Sequence, residues 1–322
     1  MTDRPATVAT DGSAGTHKGI AVDLDELIGL RHEAKHLDLV PRGRVLATRS
    51  GGHLSPFRGR GMEFDESRVY QPGDEPRNMD WRVTARSGTP HVKLFREERE
   101  RPVWLVVDQG PGMRFGTRVA FKSVVAAQAA ALLGWAASDN GDRVGGMVFD
   151  GHRAVQHRPA AGKRGLLPLL RALAGPRPDD TVGDALFVDA LAMQLAPSIR
   201  SGSLVFLVSD FHGLDAQHLT WMARLARTNE LVLVHVYDRL EAEAPPPDRY
   251  TVVDGGRRAT IDTSSPSLRS SWSGRFARHR DNLLQLSQRY RAHLVELRTD
   301  EPVADTLRNG LRPRRHAGAR NR

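Results

Sequence analysis

The sequence predicts an α/β fold in which a doubly wound, mostly parallel sheet carries helices on both faces and follows an irregular N-terminal arm. From residue 102 onward, short apolar runs rich in Val and Leu alternate with longer stretches of helical periodicity, which is typical of successive β–α units. The apolar runs have few polar interruptions, as expected of strands that helices cover on both faces. With 322 residues, 39% of them hydrophobic, the chain is long enough for a substantial core.

Each element is predicted from its own spacing of apolar residues and from the residues that flank it. The strands predicted for the sheet are 103–107, 143–149, 203–209 and 230–237. The helices predicted between them are 118–138, 164–174, 184–195 and 216–227. Nearer the termini we predict a helix at 23–35, a loop at 41–67, a strand at 91–95, a hairpin of 250–253 with 258–261, a long helix, a strand at 293–297 and a final helix through Leu311.

Changes in composition divide the chain into five segments. Residues 1–19 and 312–322 are polar and are expected to be disordered tails. Residues 20–101 are expected to form the N-terminal helix and arm, and residues 102–242 the α/β domain. A Pro-rich stretch then introduces residues 243–311, which we expect to pack on the same domain as a hairpin, a long helix and a closing strand and helix.

The composition excludes several classes of protein and site. Without cysteine the chain has no disulfides, thiolate zinc sites or iron–sulfur clusters. The longest apolar run, 124–137, is shorter than the about 20 residues of a spanning helix, and no signal-peptide pattern is visible, so a cytoplasmic protein without a transmembrane segment is expected. Residues 308–322 contain six Arg and no acidic residue, and thus supply six of the nine net positive charges. This tail has no aromatic residue to stack on bases, which favours a solvated end over a nucleic-acid contact.

Aspartates close three of the predicted strands, at Asp108, Asp210 and Asp238. In an open parallel sheet, ligands bind beyond the carboxyl ends of the strands, where the strand order reverses. Carboxylates that converge there would form an oxygen-lined site for a hard cation such as Mg²⁺. The alternative is that each aspartate caps the helix or turn that follows it. A cap is favoured for any single aspartate, and a shared site for Asp108 together with Asp210.

Other motifs of catalysis or metal binding are weaker. HisGluAlaLysHis at 32–36 spells the H-E-x-x-H zinc pattern, but its helix is short and no third ligand follows at a typical spacing, so a chance match is favoured. Gly162 and Lys163 lack the flanking residues of a phosphate-binding loop. Ser209 has no identifiable histidine partner for nucleophilic catalysis. Any enzyme activity would therefore depend on the strand-end carboxylates.

The densest cluster of Arg, Asp and aromatic residues lies at 68–86. Its ProGlyAsp segment predicts a turn, because Pro fixes φ and Gly permits a positive φ. The charged residues around the turn are suited either to a hydrogen-bonded structural arm or to a partner interface with aromatic anchors. The residues of this cluster are Arg68, Tyr70, Pro72, Gly73, Asp74, Arg77, Asp80, Trp81, Arg82 and Arg86.

The pattern R-x-Y-x-P-G-D-x-x-R-x-x-D-W at 68–81 resembles the signature of domain of unknown function family 58. The resemblance also includes 61–64, 85–86, 95–98, Asp108, SerAspPhe at 209–211 and AspArgLeuGlu at 238–241, and covers about residues 20–300. Members of that family carry a von Willebrand factor A-like domain, so the resemblance implies this fold for the α/β domain.

The resemblance further implies a metal-ion-dependent adhesion site, whose usual elements are D-x-S-x-S, a downstream Thr and a second Asp. In this sequence the first element begins at Asp108, and Gly110 and Gly112 stand in place of its two serines. Thr181 matches the downstream Thr, and Asp210 matches the second Asp. Because two hydroxyl ligands are missing, we expect either no cofactor or weakly bound Mg²⁺.

The resemblance implies a partner as well, because such proteins are thought to act with MoxR-type AAA+ ATPases in the maturation or regulation of other protein complexes. We therefore expect a non-enzymatic scaffold, with the ATPase activity in the partner and with an unidentified client protein. Its recognition surface is expected at the upper rim of the sheet, together with the 68–86 arm, around Asp108, Gly110, Gly112, Thr181 and Asp210.

Two other functions stay open at the level of sequence. The first is a divalent-metal-dependent phosphoesterase in which Asp108 and Asp210 are metal ligands. The second is binding to nucleic acid or an anionic surface through the basic tail, for which affinity would fall steeply with salt. Activity with added metal distinguishes the first from a scaffold, and deletion of residues 312–322 distinguishes the second.

Overall fold

The computed structural model describes residues 19–39, 62–97, 101–176, 187–214, 219–254 and 257–312. The chain forms two compact units, which we call the sheet unit (Met1–Pro41 with Arg101–Arg322) and the small unit (Arg42–Glu100). The sequence analysis assigned the N-terminal helix to the arm. The structure places it in the sheet unit instead, because Leu27 and Ala34 are buried in that unit's core.

The helices and strands are as follows. The helices are α1 (Leu24–Gly29), α2 (Arg31–Ala34), α3 (Trp81–Ser87), α4 (Lys122–Asp139), α5 (Lys163–Ala174), α6 (Phe187–Ala190), α7 (Leu219–Thr228), α8 (Arg239–Ala242), α9 (Pro266–Tyr290) and α10 (Val303–Gly310). The strands are β1 (Met62–Val69), β2 (His91–Glu97), β3 (Pro102–Asp108), β4 (Arg143–Phe149), β5 (Ala154–Ala161), β6 (Leu204–Ser209), β7 (Glu230–Tyr237), β8 (Arg249–Asp254), β9 (Arg257–Asp262) and β10 (His293–Arg298).

A six-stranded sheet in the order β10-β7-β6-β3-β4-β5 forms the centre of the sheet unit. Its neighbouring strands are parallel except for β4 and β5. From β3 the chain continues to β4 and β5 on one side, and then returns to β6 on the other side of β3. The strand order therefore reverses between β3 and β6, which is the place where open α/β sheets bind ligands. The prediction of a mostly parallel, doubly wound sheet is confirmed.

Alternate residues of the strands belong to two separate apolar clusters, one on each face of the sheet. The first cluster contains Val103, Leu105 and Val107 of β3 and joins them to α1, α4, α5 and α10. The second contains Trp104 and Val106 of the same strand and joins them to α6, α7 and α9. Successive residues of a strand point to opposite faces, and both faces are buried here, so nearly every residue of these strands is apolar.

The Ala-rich helix α4 is buried along almost its whole length against the sheet. Its position agrees with the prediction that residues 124–137 form a buried core helix. In the part of the chain that the structure describes, every helix is too short or too polar to cross a bilayer.

Two strands were not predicted. Residues 62–67, expected to be loop, belong to β1, which pairs antiparallel with β2 in the small unit. The antiparallel strand β5 lies at the edge of the large sheet, where Pro159 is tolerated because one side of the strand needs no hydrogen-bond partner. Both strands are poor in apolar residues and depend on a neighbouring strand, so that local sequence carried little signal for them.

Candidate functional site

The two aspartates predicted to share a site lie at the same edge of the sheet. Asp108 is the last residue of β3, and Asp210 follows directly on β6, which is the parallel neighbour of β3. We call this edge the carboxyl edge. Asp108 is 7% exposed and Asp210 is 5% exposed. The structure therefore brings both side chains to the place where the strand order reverses, but below the molecular surface.

The carboxylate of Asp108 accepts hydrogen bonds from two nearby residues. One carboxylate oxygen, Oδ2, accepts a hydrogen bond from the Ser209 hydroxyl at 2.7 Å, and the other, Oδ1, accepts one from the Gly110 amide at 2.9 Å. Burial, together with the negative charge of Asp210, raises the pKa of Asp108 to about 7. This carboxyl group therefore exchanges its proton near neutral pH.

Asp210 has a strong cationic partner. Its Oδ2 accepts a hydrogen bond from the Lys122 ammonium at 2.7 Å, and its Oδ1 accepts one from the His212 amide at 3.0 Å. The Nδ1 atom of His212 also lies 3.2 Å from Oδ1. Burial acts to raise the pKa of Asp210, but the interactions with His212 and Lys122 outweigh it and hold the pKa well below its usual range. Asp210 is therefore ionised.

Lys122 is the centre of this cluster and was not identified from the sequence. It is the first residue of α4 and is 1% exposed. Its ammonium donates to Asp210 and, also at 2.7 Å, to Oε1 of Glu241 in α8. Burial acts to lower the pKa of Lys122, but these two carboxylates raise it above its ordinary value, so that the lysine stays charged. A buried charge persists only when it is paired in this way.

The two carboxylates that Lys122 contacts also belong to a group with metal-binding geometry. Ligand atoms of Asp210, His212 and Glu241 lie within 4.8 Å of one another, and this is the one such group of His and acidic side chains within the described ranges. However, the Lys122 ammonium is 2.7 Å from both carboxylates of the group. A cation between Asp210 and Glu241 would meet that positive charge at close range.

The first element of the expected adhesion site is also unsuited to Mg²⁺. Gly110 and Gly112 have no side-chain oxygen, and a Cβ atom added to them would lie 3.1 Å from Oδ1 of Asp108 and 3.4 Å from Oδ2 of Asp210. Asp108 is partly protonated near neutral pH, which weakens it as a ligand for a hard cation. Thr181 lies outside the described residues. The described residues of this site thus do not fit Mg²⁺, because the ammonium of Lys122 already supplies a positive charge there.

The third strand-end aspartate is a cap. Asp238 precedes α8 and forms a capping box with Glu241, whose Oε2 accepts a hydrogen bond from the Asp238 amide at 2.7 Å. The Asp238 carboxylate also accepts hydrogen bonds from Thr117 and Thr299. Glu241 therefore links this cap to Lys122. Asp238 follows the alternative interpretation of the strand-end aspartates, in which the aspartate caps the helix that follows it.

The backbone after Asp210 is strained. Phe211 is buried and has a φ of 57°, in the left-handed region that residues other than glycine rarely adopt. Its amide donates to the Ser209 hydroxyl, which itself donates to Asp108. Strain of this kind persists where surrounding contacts impose it, and it is often found at functional sites.

Three histidines border the carboxyl edge and were also missed by the sequence analysis. The rings of His212 and His279 stack with their centroids 4.8 Å apart, and His279 Nε2 lies 2.8 Å from the carbonyl oxygen of Asp210. The ring of His235 meets that of His279 edge-on at 5.4 Å. These residues are far apart in the sequence, on a loop, β7 and α9. For Lys122, the one local signal was its position at the start of a long, mostly apolar helix.

A model of the family described as protein of unknown function DUF58 matches residues 66–282. The chain belongs to this family. Uncharacterized proteins from Mycobacterium tuberculosis and Mycobacterium bovis are 33% identical to it over 280 residues, which are 84% of this chain and 86% of theirs. Among solved structures, the chain is similar to the conserved hypothetical protein BatB from Bacteroides thetaiotaomicron, with a TM-score of 0.39, 12% identity, and coverage of 65% of this chain and 95% of that one.

The DUF58 signature at 68–86 lies in the small unit, and part of it is structural. Arg68 makes two hydrogen bonds to the Asp74 carboxylate, at 2.8 and 2.6 Å, which lower the pKa of that carboxyl. Gly73 has a φ of 109°, as the predicted turn requires. Asp80 is buried, accepts a hydrogen bond from Ser67 at 2.8 Å and caps α3.

Other signature residues of this DUF58 protein are turned toward solvent. Trp81 is 68% exposed, and the side chain of Arg77 is 91% exposed. Pro72 and Arg86 are exposed as well, and Tyr70 is half-buried. The signature thus combines a hydrogen-bonded turn with an exposed aromatic and cationic face.

The structure also gives the positions of the H-E-x-x-H histidines and of the expected rim residues. His32 lies in α2 and His36 beyond its end, both exposed, and neither belongs to the one His and acidic group found among the described residues. A chance match therefore stays the favoured interpretation of the H-E-x-x-H pattern. Of the rim residues, Gly112 is exposed, whereas Asp108, Gly110 and Asp210 are buried. These three residues therefore lie beneath the surface of the carboxyl edge.

Proposed function

We propose that this DUF58 protein is a non-enzymatic interaction scaffold with a von Willebrand factor A-like domain, and that it acts with a MoxR-type AAA+ ATPase in the maturation or regulation of other protein complexes. The observation that carries the proposal is that the strand-end carboxylates are bound from within the chain, Asp108 by Ser209 and Asp210 by Lys122. Neither carboxylate is left free to hold a metal or to activate water, which argues against the phosphoesterase.

The architecture supports the von Willebrand factor A-like part of the proposal. The sheet is mostly parallel, helices cover both faces, and two aspartates meet between β3 and β6. This is the arrangement that the family resemblance implies. The ATPase partner is proposed from membership of the family and from the signature at 68–81.

The exposed part of the carboxyl edge offers a contact surface. Residues 109–121 join β3 to α4, and we call them the rim loop. Within it, Phe115 and Val119 are 37% and 65% exposed. His212 lies on the neighbouring loop with its side chain mostly exposed. Exposed aromatic and apolar side chains are of the kind that protein interfaces bury at their centre.

The experiment is a pull-down of the MoxR-type ATPase of the same organism with the full-length protein. Serine replaces both apolar side chains of the rim loop in the double variant Phe115→Ser/Val119→Ser. Loss of two central apolar contacts is expected to weaken binding by about tenfold or more. Because both side chains are exposed, the Tm of the variant should stay close to that of the wild type.

The matched control is Met193→Ser, which removes an apolar side chain that is 79% exposed and lies outside the rim loop. It is expected to bind the ATPase like the wild type. The proposal fails if the wild type does not retain the ATPase, or if the rim-loop variant retains it as well as the control does.

A further inference from the structure

A second feature of the sheet unit lies beside the carboxyl edge. An open cavity of about 740 Å³ is bordered by the end of β7, by α8 and by the first half of α9. Its aromatic lining is Tyr237, Trp272, Phe276, His212, His235 and His279. Its volume lies within the range of about 300–1,000 Å³ that is usual for small-molecule sites.

The aromatic rings are arranged as a continuous wall. Phe276 lies 5.0 Å from Tyr237 and 6.1 Å from His235, between ring centroids. His235 and Tyr237 stack at 5.3 Å. Flat rings at these separations offer faces on which a planar ligand can stack.

One polar atom of this wall has no partner. Nδ1 of His235 is buried, and none of the described residues forms a hydrogen bond with it. Burial, followed by the effect of His279, lowers the pKa of His235 to about 3, so that the ring is neutral at physiological pH. Unpaired buried polar atoms are uncommon and costly. Because this atom is also shielded from the open cavity, the faces of the aromatic rings carry the argument for a ligand.

The charges around the cavity favour an anion. Arg275 lines the cavity and is exposed, whereas any positive charge on His212 is already paired with Asp210, 3.2 Å away. Glu241 is the acidic residue of the lining, but both of its oxygens are engaged, one by Lys122 and the other by the Asp238 amide. Its charge is therefore largely compensated.

We propose that this cavity is a binding site for a small planar aromatic ligand that carries a negative charge. The rings hold the planar group by stacking, and Arg275 attracts the charge at the mouth of the cavity. This proposal does not depend on the scaffold function. His212 borders both surfaces, but the variants that test them change different residues, in the rim loop and in α9.

The test uses two fluorescent probes with the same rings. 1-Anilinonaphthalene-8-sulfonate carries a negative charge, and N-phenyl-1-naphthylamine is its neutral counterpart. Both are titrated into the full-length folded protein, and each is expected to saturate with one molecule per chain. The charged probe is expected to bind more tightly than the neutral one.

Variants assign the binding to the cavity. Arg275→Glu reverses the charge at the mouth and is expected to weaken the charged probe about fivefold, while the neutral probe is unaffected. The control is Arg278→Glu, the same change one helical turn further along α9 at an exposed residue outside the lining, and it should leave both probes unaffected. Ser271→Trp places a large side chain in the lining and is expected to abolish binding of both probes.

Two results would overturn the proposal. One is equal weakening of the charged probe by the two charge reversals, which would indicate a general effect of net charge. The other is unchanged binding in the Ser271→Trp variant, provided that its Tm matches that of the wild type. Failure of this test leaves the pull-down result untouched, since the probes do not report on the ATPase.

Discussion

At the scale of single residues, the candidate site is organised by a positive charge that belongs to the chain. The Lys122 ammonium lies 2.7 Å from carboxylate oxygens of Asp210 and Glu241 in a place that solvent hardly reaches. In a medium of low polarity, these two contacts counter part of the cost of removing the three charges from water, and loss of one partner would leave the others uncompensated. The Lys122 ammonium therefore supplies the positive charge that a metal ion would otherwise bring to this site.

Replacement of this lysine should be costly. In Lys122→Met, two carboxylates lose the charge that compensates them, and the free energy of unfolding is expected to fall by about 3–5 kcal/mol. Urea denaturation monitored by circular dichroism measures this change. The control is Arg280→Met, which removes an exposed ion pair with Glu296 and should cost at most about 1 kcal/mol. Equal losses in the two variants would show that Lys122 is not the centre of the cluster.

Asp108 should make stability depend on pH. Its pKa is raised from 3.8 to about 7 on folding, so that between these values the folded protein binds a proton which the unfolded chain has lost. The contribution of Asp108 to stability is therefore fully present below pH 3.8, and is lost as pH rises toward 7. Asn at this position is neutral at every pH and lacks this dependence.

The stability of Asp108→Asn relative to the wild type is thus expected to increase from pH 5 to pH 8. Urea midpoints measured at several pH values in this range test the prediction, with each variant compared at the same pH. Parallel pH profiles for the two proteins would contradict the raised pKa.

At the scale of elements, glycine shows how closely α5 approaches the sheet. Gly165 lies in the first turn of α5, and a Cβ atom there would lie 2.1 Å from the carbonyl oxygen of Val144 in β4 and 2.2 Å from that of Ala160 in β5. By contrast, a Cβ atom added to Gly29 in α1 would have no neighbouring atom within 4 Å. The sequence analysis considered the nearby Gly162 and Lys163 as part of an incomplete phosphate-binding loop. Close packing against the sheet explains the glycine at position 165.

The two glycines should respond oppositely to alanine. Alanine favours a helix by about 1 kcal/mol over glycine, so Gly29→Ala is expected to leave the Tm unchanged or to raise it. In Gly165→Ala the added carbon meets the backbone of two strands, and the free energy of unfolding is expected to fall by about 1–3 kcal/mol. Thermal unfolding of both variants measures this contrast. A gain in stability in Gly165→Ala would mean that α5 lies further from the sheet than the structure indicates.

Elements differ in how much local sequence determines them. The four central strands β3, β4, β6 and β7 were predicted to within a few residues, because each is an apolar run whose residues alternate between two buried faces. By contrast, β1 and β5 have few apolar residues and are formed through pairing with β2 and β4. α3 was not predicted either, although Asp80 before it and Gly88 after it are favourable caps.

At the scale of the whole molecule, the internal cation predicts independence from divalent metal. A ligand that binds the folded state stabilises it in proportion to the logarithm of its concentration over the dissociation constant. Because the residues at the carboxyl edge do not fit Mg²⁺, the Tm in millimolar MgCl₂ is expected to equal that in EDTA at matched ionic strength. Differential scanning calorimetry provides the comparison. A clear rise in Tm with Mg²⁺ but not with added NaCl would count against the internal cation.

In the Lys122→Met variant, the same comparison of Tm with and without divalent metal is expected to give a different result. Removal of the ammonium leaves Asp210, His212 and Glu241 with ligand atoms within 4.8 Å of one another. This variant is therefore expected to gain stability with a divalent metal that accepts nitrogen and oxygen ligands, such as Zn²⁺. Direct titration of the metal into the variant measures the affinity, with the wild type as the control.

By itself the sequence determined the mostly parallel α/β sheet, the order of its main elements, the family to which the chain belongs, and the convergence of Asp108 with Asp210. These follow from periodicity and from signatures that are local in the chain. Only the tertiary structure decided what the carboxylates bind and which of their neighbours reach the surface. Lys122, Asp210 and Glu241 are separated by 88 and 31 positions and meet only when α4, β6 and α8 pack together. A local sequence pattern cannot predict this contact, because the energy of a buried charge depends on its neighbours in space.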